Sequence, residues 1–278
     1  MTTPSSSPFT ATPTAKALIQ SLLLAAEGEA YPSRQLVAAG ALFGISENNI
    51  RVALVRLQAQ ELAQAVGRGS YCLGPAGEQL GKEISAWRRI EERLAPWVPG
   101  RYIGVHTGAM ARSDRAALQR RDRALQMMGF RELSKGLHVR PDNLQGGIVA
   151  CRQRLQALGL DPQAWVFAMD DVGPDMNEQI GGLWQVMALS QGYVHSHQAL
   201  RHWLANQDTL DPAQAAREAY LLDRRAIRQV VWDPLLPDAF VDATARADFF
   251  AAVRDFDAAG RSIWWRFFQF SDSQSMPS

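Results

Sequence analysis

Between Gly44 and Leu73 the apolar spacing changes from a helical period to a strand period, and that change restricts the fold more than any other feature. In GISENNIRVALVRL, residues Ile50, Ala53, Leu54 and Leu57 fall at i, i+3, i+4 and i+7, the spacing of one buried helix face. Ser46 supplies the N-cap, and Gly44-Ile45 makes the corner before it. After Gln60 the chain reads ELAQAV, GRG and SYCL, a β-hairpin with Arg68 at its tip. Upstream, Lys16 to Ala26 has a helical period, and Pro32-Ser33 opens a second helix with Leu36, Val37 and Leu42 turned inward. Gly74-Pro75 ends the hairpin and starts another helix running to about Arg93. Helices joined by a short glycine-containing corner, followed by a hairpin, predict a winged helix-turn-helix over 15–94.

The outward face of the Ser46 helix then needs a partner. It carries Asn48, Asn49, Arg51, Val52, Val55 and Arg56. In a winged helix-turn-helix this helix enters a DNA major groove and the hairpin follows the flanking backbone. Ser46, Asn48 and Asn49 stand in the first turn, where bases are read. Arg51 and Arg56 suit phosphates or guanine edges, and Val52 and Val55 suit thymine methyls. Arg34, Arg68, Ser70 and Tyr71 complete the expected DNA-contacting set.

A breaker-rich linker, Ala95 to Gly100, separates a second segment. RYIGVH reads as a strand, Ser113–Met128 as a helix and FREL with GLHV as a hairpin. Asp142-Asn143 is expected to cap a helix through Leu158, and AWVFAM is a last strand. The order βαββαβ is the ferredoxin-like arrangement, placed over 98–175. From 176 to 270 the periods are helical, broken at Asp211-Pro212 and by a rigid turn at Trp232-Asp233-Pro234-Leu235-Leu236-Pro237. Phe249-Phe250 and Ile263-Trp264-Trp265 belong either to a core or to an interface between two copies. Disordered tails are expected over 1–14 and 271–278. The fold class is α+β, with three domains.

Composition excludes several classes. No apolar run reaches the roughly 18 residues of a membrane span, and MTTPSSSPFTATPTA lacks the basic start and apolar core of a secretory signal. A cytoplasmic location is the expectation. Cys72 and Cys151 are too few for a disulfide framework and have no metal-ligand spacing, so both are expected as reduced core residues. Net charge is only +1, so DNA contact must come from a local surface. Residues 31–73 offer one, with Arg34, Arg51, Arg56 and Arg68 against Glu47 and Glu61.

With its three segments in this order, the chain resembles the PaaX family of transcriptional repressors of phenylacetate catabolism. The resemblance spans about Lys16 to Phe270. It rests on GISENNIRVALVRL with GRGSYCLGPAGEQL, on WVPGRYIGV with MGFRELSKGLHVRPDNL, and on WDPLLPDAFVDATARADFF. It implies a homodimer that binds a double-stranded operator and is released by an aryl-acyl-CoA effector, typically phenylacetyl-CoA. It matches the family's recognition-helix arginines to Arg51 and Arg56, and its wing Arg and Tyr to Arg68 and Tyr71. Val52 and Val55 depart from the small hydroxyl residues usual there, which bears on the operator sequence.

Two other readings compete. The middle segment is similar to Cas2-like metal-dependent nucleases, but its first strand ends in His106-Thr107 where a metal-binding acid is needed, and Asp114 suits a helix cap. A winged helix can also serve as a protein-interaction module. His195, His197 and His202 lack the companions of a tetrahedral metal site, and Asp170-Asp171 suits loop capping. No catalytic residue, bound cofactor or metal is expected, and the chain is read as non-enzymatic. For the effector's phosphates the cationic candidates are Arg120, Arg121 and Arg123.

Overall fold

Glycines at Gly67 and Gly69, both with positive φ, turn the chain back on itself and set up the smaller of two antiparallel sheets. The computed structural model describes residues 12–26, 28–107 and 114–274. The class is α+β, and the described chain forms two compact units. The first comprises the described residues within 1–88, 199–226 and 252–278, and the second those within 89–198 and 227–251.

The first unit opens with α1 (Ala15–Ala25), α2 (Ser33–Ala41) and α3 (Glu47–Ala59). Thr14 caps α1, so the expected tail over 1–14 ends in a helix cap, and residues 1–11 lie outside the described set. In α3, Ile50, Ala53, Leu54 and Leu57 are buried as the spacing requires. Helices α1 and α2 both pack on α3, and Leu18, Ile19 and Leu22 of α1 and Leu36 of α2 are buried as well. Gly40 lets α2 approach α3, since a Cβ there would lie 2.8 Å from Ile50 Cγ1. Strands β2 (Ala63–Val66) and β3 (Ser70–Leu73) form the hairpin. A two-residue strand, β1 (Tyr31–Pro32), adds to it in the order β1-β3-β2. That strand is too short to show a period in the sequence.

The helix from Pro75 stops sooner than its period suggests. It runs as α4 (Pro75–Ile84) and tightens to a 3₁₀ segment, Ser85–Arg93, with a non-helical break at Arg89.

In the second unit β4 (Tyr102–His106), α5 (Arg115–Met127), β5 (Arg131–Ser134), β6 (Leu137–Pro141), α6 (Gly147–Ala157) and β7 (Trp165–Met169) follow one another. The sheet order is β5-β6-β4-β7, with every neighbouring pair antiparallel. Ile103 and Val105 of β4 and Val166 of β7 pack under Ala124, Leu125 and Met128 from the α5 end and Cys151 and Leu155 of α6. Asp114 caps α5, accepting from Ala116 N at 2.9 Å and Ala117 N at 3.1 Å. Ser113, where that helix is expected to start, lies outside the described residues. Asp142-Asn143 does not cap α6, which begins after a left-handed Gly146. The Asn143 side chain is instead buried, bonding Arg140 and the Leu235 carbonyl.

After α7 (Pro174–Gly181) come α8 (Val186–Asn206), α9 (Pro212–Val231) and α10 (Ala243–Gln274). A separate helical domain over 176–270 is expected from sequence, yet α8, α9 and α10 each give one end to each unit. The end of α10 takes in Ser271–Gln274, assigned to a tail from sequence, because Asp272 pairs with Arg34. Phe249, Phe250, Ile263 and Trp264 are core residues, while Trp265 is 64% exposed. Both cysteines are free and buried. No helix among the described residues is long and apolar enough to cross a membrane.

The segment joining α9 to α10 is more than a rigid turn. Asp233 to Pro237 are all buried, and Leu235 takes a positive φ of 50°. Hydrogen bonds hold it there: Leu235 N donates to Asp233 Oδ1 at 2.8 Å, and Asn143 Nδ2 donates to the Leu235 carbonyl at 2.8 Å. The buried Arg246 guanidinium donates to the Leu236 carbonyl and to Asp238. Tyr193 donates to the other Asp233 oxygen at 2.5 Å, and burial raises both of their pKa values. These bonds satisfy polar groups that burial would otherwise leave costly.

Candidate nucleic-acid interface

Ser46 has extended backbone and its hydroxyl accepts from Asn49 N at 3.3 Å, closing the first turn of α3. With residues 100° apart around a helix, Asn48, Val52 and Val55 centre the face opposite the core, and Arg51 and Arg56 flank it on either side. That face is open: Val55 is 66% exposed and Val52 40%. Asn48, Asn49, Arg51 and Arg56 are exposed as well.

The four arginines differ in their engagement. Arg51 Nε donates to Glu47 Oε1 at 2.8 Å, an exposed pair one turn apart. Such pairs contribute about 0.3–0.5 kcal/mol, little enough for a phosphate to displace Glu47. Arg34 is held by Asp272 of α10, with Nε 2.9 Å from Oδ1, and Gln35 reaches the same carboxylate at 3.2 Å. Arg56 lies exposed in the last turn of α3. Arg68 is exposed at the tip of the three-residue loop Gly67-Arg68-Gly69. The expected set therefore divides. Ser46, Asn48, Asn49, Arg51, Val52, Val55 and Arg56 share one helix, and Arg68 stands on the hairpin. Arg34 is turned to its own carboxylate.

Ser70 and Tyr71 are half-buried on β3, the middle strand, where Ser70 pairs with Pro32 and Tyr71 with Tyr31. Tyr31 in turn packs on Phe268, with ring centroids 5.2 Å apart. Strand β1 thus braces the hairpin against the end of α10, a support that sequence periodicity does not reveal.

The effector candidates on α5 are not equivalent. Arg120 and Arg123 are exposed, whereas Arg121 is 7% exposed. His195 and His202 are exposed on α8 and His197 is half-buried. Among the described residues no three His, Cys, Asp or Glu side chains gather as a metal site.

No protein-family model matches the chain, and no curated protein does. A solved structure does, the uncharacterized protein Rv0674 from Mycobacterium tuberculosis, with a TM-score of 0.65 and 21% sequence identity. The match covers 92% of this chain and 99% of that one. At that identity it shows a shared fold and nothing finer.

Proposed function

We propose that the chain is a DNA-binding transcriptional repressor of the PaaX type, released from its operator by an aryl-acyl-CoA such as phenylacetyl-CoA. The observation that carries the reading is α3. Its inner face is fully buried, while its outer face exposes Asn48 and two valines between two arginines, with Asn49 beside Arg56. A surface helix with no duty outside its own unit has little reason to expose valines at its centre. Thymine methyls, base edges and phosphates match these side chains one for one.

The helices with their three-stranded sheet support a winged helix-turn-helix. The strand–helix–strand–strand–helix–strand order of the second unit supports a ferredoxin-like domain. Homodimerisation and the effector come from the family resemblance, and the cytoplasmic location from the amino end and the short apolar runs of the sequence.

The test is selection of bound fragments from a genomic DNA library, followed by anisotropy titrations over a range of salt. The Arg56→Ala/Arg68→Ala double variant should weaken binding and reduce the magnitude of the salt slope by about two, one for each arginine–phosphate pair removed. Equal binding by the folded double variant, or no fragment enriched by the parent, would overturn the reading. In the second case α3 would be a protein-docking face.

A further inference from the structure

Six arginines and one aspartate make up all the charge of α5 and α6, in a chain whose net charge is +1. A solvated helix face ordinarily mixes the two signs, with pairs one turn apart. Here every exposed charge on the two helices is an arginine: Arg115, Arg120, Arg123, Arg152 and Arg154. The aspartate, Asp122, is half-buried in the wall of a cavity that it shares with His138, and Arg121 is buried.

Three cations line the furrow between the helices. The sheet order is β5-β6-β4-β7, and α6 links β6 to β7 while α5 links β4 to β5, so α6 stands on the β7 side of α5. Arg152 is on the outer flank of α6, where it donates to the Val166 carbonyl of β7 at 2.9 Å. With residues 100° apart, Arg154 and Ala150 fall on the opposite flank, toward α5. From α5, Arg120 packs against Gly159 just past the end of α6: a Cβ there would lie 3.4 Å from the Arg120 Cβ. Arg93 is held near the start of α6, since Leu94 bridges Leu144 and Gln145 N donates to the Arg93 carbonyl at 2.8 Å. Arg120, Arg154 and Arg93 therefore follow one another along the furrow, from the end of α6 toward its start.

No acid of the protein neutralises this row. Among the described residues none of the three has a carboxylate within ion-pair distance. Asp114 stands close enough for Arg120 to lower its pKa, but its Oδ1 caps α5. Burial first, and then Arg154, lower the pKa of Arg93 to about 10, and burial lowers that of Arg154. Both remain cations at neutral pH. Two guanidinium groups held close together without an acid are relieved by a bound anion.

The arrangement also selects the kind of anion. The cations stand at successive levels of a furrow, so a chain of anions meets them better than a single one. A protein partner needs apolar anchors. Of the large apolar side chains on α5 and α6 only Val149 is exposed, and it lies on the Arg152 side; the furrow flank of α6 carries Gly147 and Ala150. A nucleic-acid backbone asks only for cations and N–H donors.

We propose that the α5–α6 furrow binds the phosphate backbone of duplex DNA through Arg120, Arg154 and Arg93, without reading its sequence. The choice of partner rests on the DNA-binding reading above, and it moves Arg120 from the effector's phosphates to those of DNA.

The experiment is fluorescence anisotropy of a labelled random-sequence duplex with the full chain over a range of salt. The Arg120→Gln/Arg154→Gln variant should weaken binding and reduce the magnitude of the salt slope by about two, one for each arginine–phosphate pair removed. Arg154→Gln alone should produce about half of that change. Lys135→Gln removes an exposed cation from the β5–β6 turn of the same unit and should leave the slope as it is. An unchanged slope in the folded double variant would overturn the proposal, as would a parent that binds no duplex at low salt. A slope lowered as much by Lys135→Gln as by Arg154→Gln would reduce the effect to net charge and overturn it as well. Poly-glutamate that displaces the duplex as well as unlabelled DNA does, charge for charge, would give the furrow to an acidic protein instead. The α3 variant separates this proposal from the earlier reading. Binding that falls with Arg120→Gln/Arg154→Gln but not with Arg56→Ala/Arg68→Ala keeps the furrow and removes α3 as the reader. The opposite pattern keeps α3 and removes the furrow.

Discussion

Asp223 shows how far one side chain departs from what its neighbours in sequence suggest. In LLDRRAIRQ an acid beside two arginines looks like part of a solvated helix face. The carboxyl is enclosed instead, and its Oδ1 has no hydrogen-bond partner, although the residue as a whole is half-buried. Burial first, then Asp257, pushes it up to about 8, and Arg88 and Arg224 pull the other way. Asp257 is not free to help, because it binds Arg88 at 2.6 Å. Since the folded pKa lies above the unfolded one, the native state holds a proton that the unfolded chain releases. Stability should therefore fall as pH rises from about 4 to about 8. Asp223→Asn keeps the shape and removes the charge. It should flatten that slope and raise stability at pH 8 by about 1 kcal/mol or more, since each unit of upward pKa shift is about 1.4 kcal/mol of preference for the neutral form. Urea unfolding at pH 5 and pH 8 is the check, and parallel pH slopes for parent and variant would refute it. The neighbour that raises Asp223 further, Asp257, belongs to α10, a different helix, so no local pattern carries it.

At the scale of elements, legibility follows the range of the forces. The α3 face, its Ser46 cap, the Gly67-Arg68-Gly69 turn and the Asp114 cap are local devices, and each stands where its residues imply. Strand β1 and the start of α6 answer to distant partners, Ser70 with Tyr71 in one case and Leu235 in the other, so their sequences are silent. The junction of α5 and β5 gives a sharp test. Gly129 has a φ of 74°, and a Cβ there would lie 2.5 Å from the Pro234 carbonyl oxygen. Its own carbonyl accepts from Trp184 Nε1 at 3.1 Å. An alanine meets both a left-handed backbone and a neighbouring main chain that cannot step aside. Gly129→Ala should cost about 2 kcal/mol or more in unfolding free energy, combining strain with overpacking. Gly100, also at positive φ but with open space around its Cβ position, serves as the control. Gly100→Ala bears the backbone strain alone and should cost clearly less in the same urea titration; equal costs would mean that the approach to Pro234 contributes nothing.

For the whole molecule the main surprise is that three helices belong to two units at once. Helical periods over 176–270 tell that helices form there, but the choice of neighbour for each helix end is made by the assembled core. On the proposed repressor reading the division bears on regulation. The α3 face belongs to the first unit, while α8, α9 and α10 contribute residues to both units. The proposed effector can release DNA only through different affinities for the DNA-competent and DNA-incompetent states. Shifting the population from 1:99 to 99:1 takes about 5.5 kcal/mol of such difference. Linkage then makes a demand free of structural detail: operator DNA must weaken effector binding by the same factor by which effector weakens DNA binding. The measurement is calorimetry of phenylacetyl-CoA into the full chain, with and without a saturating operator fragment, beside anisotropy of the operator with and without phenylacetyl-CoA. The two ratios should agree, and both should exceed about tenfold. Equal thioester affinity in the presence and absence of DNA would rule out a switch of the proposed kind.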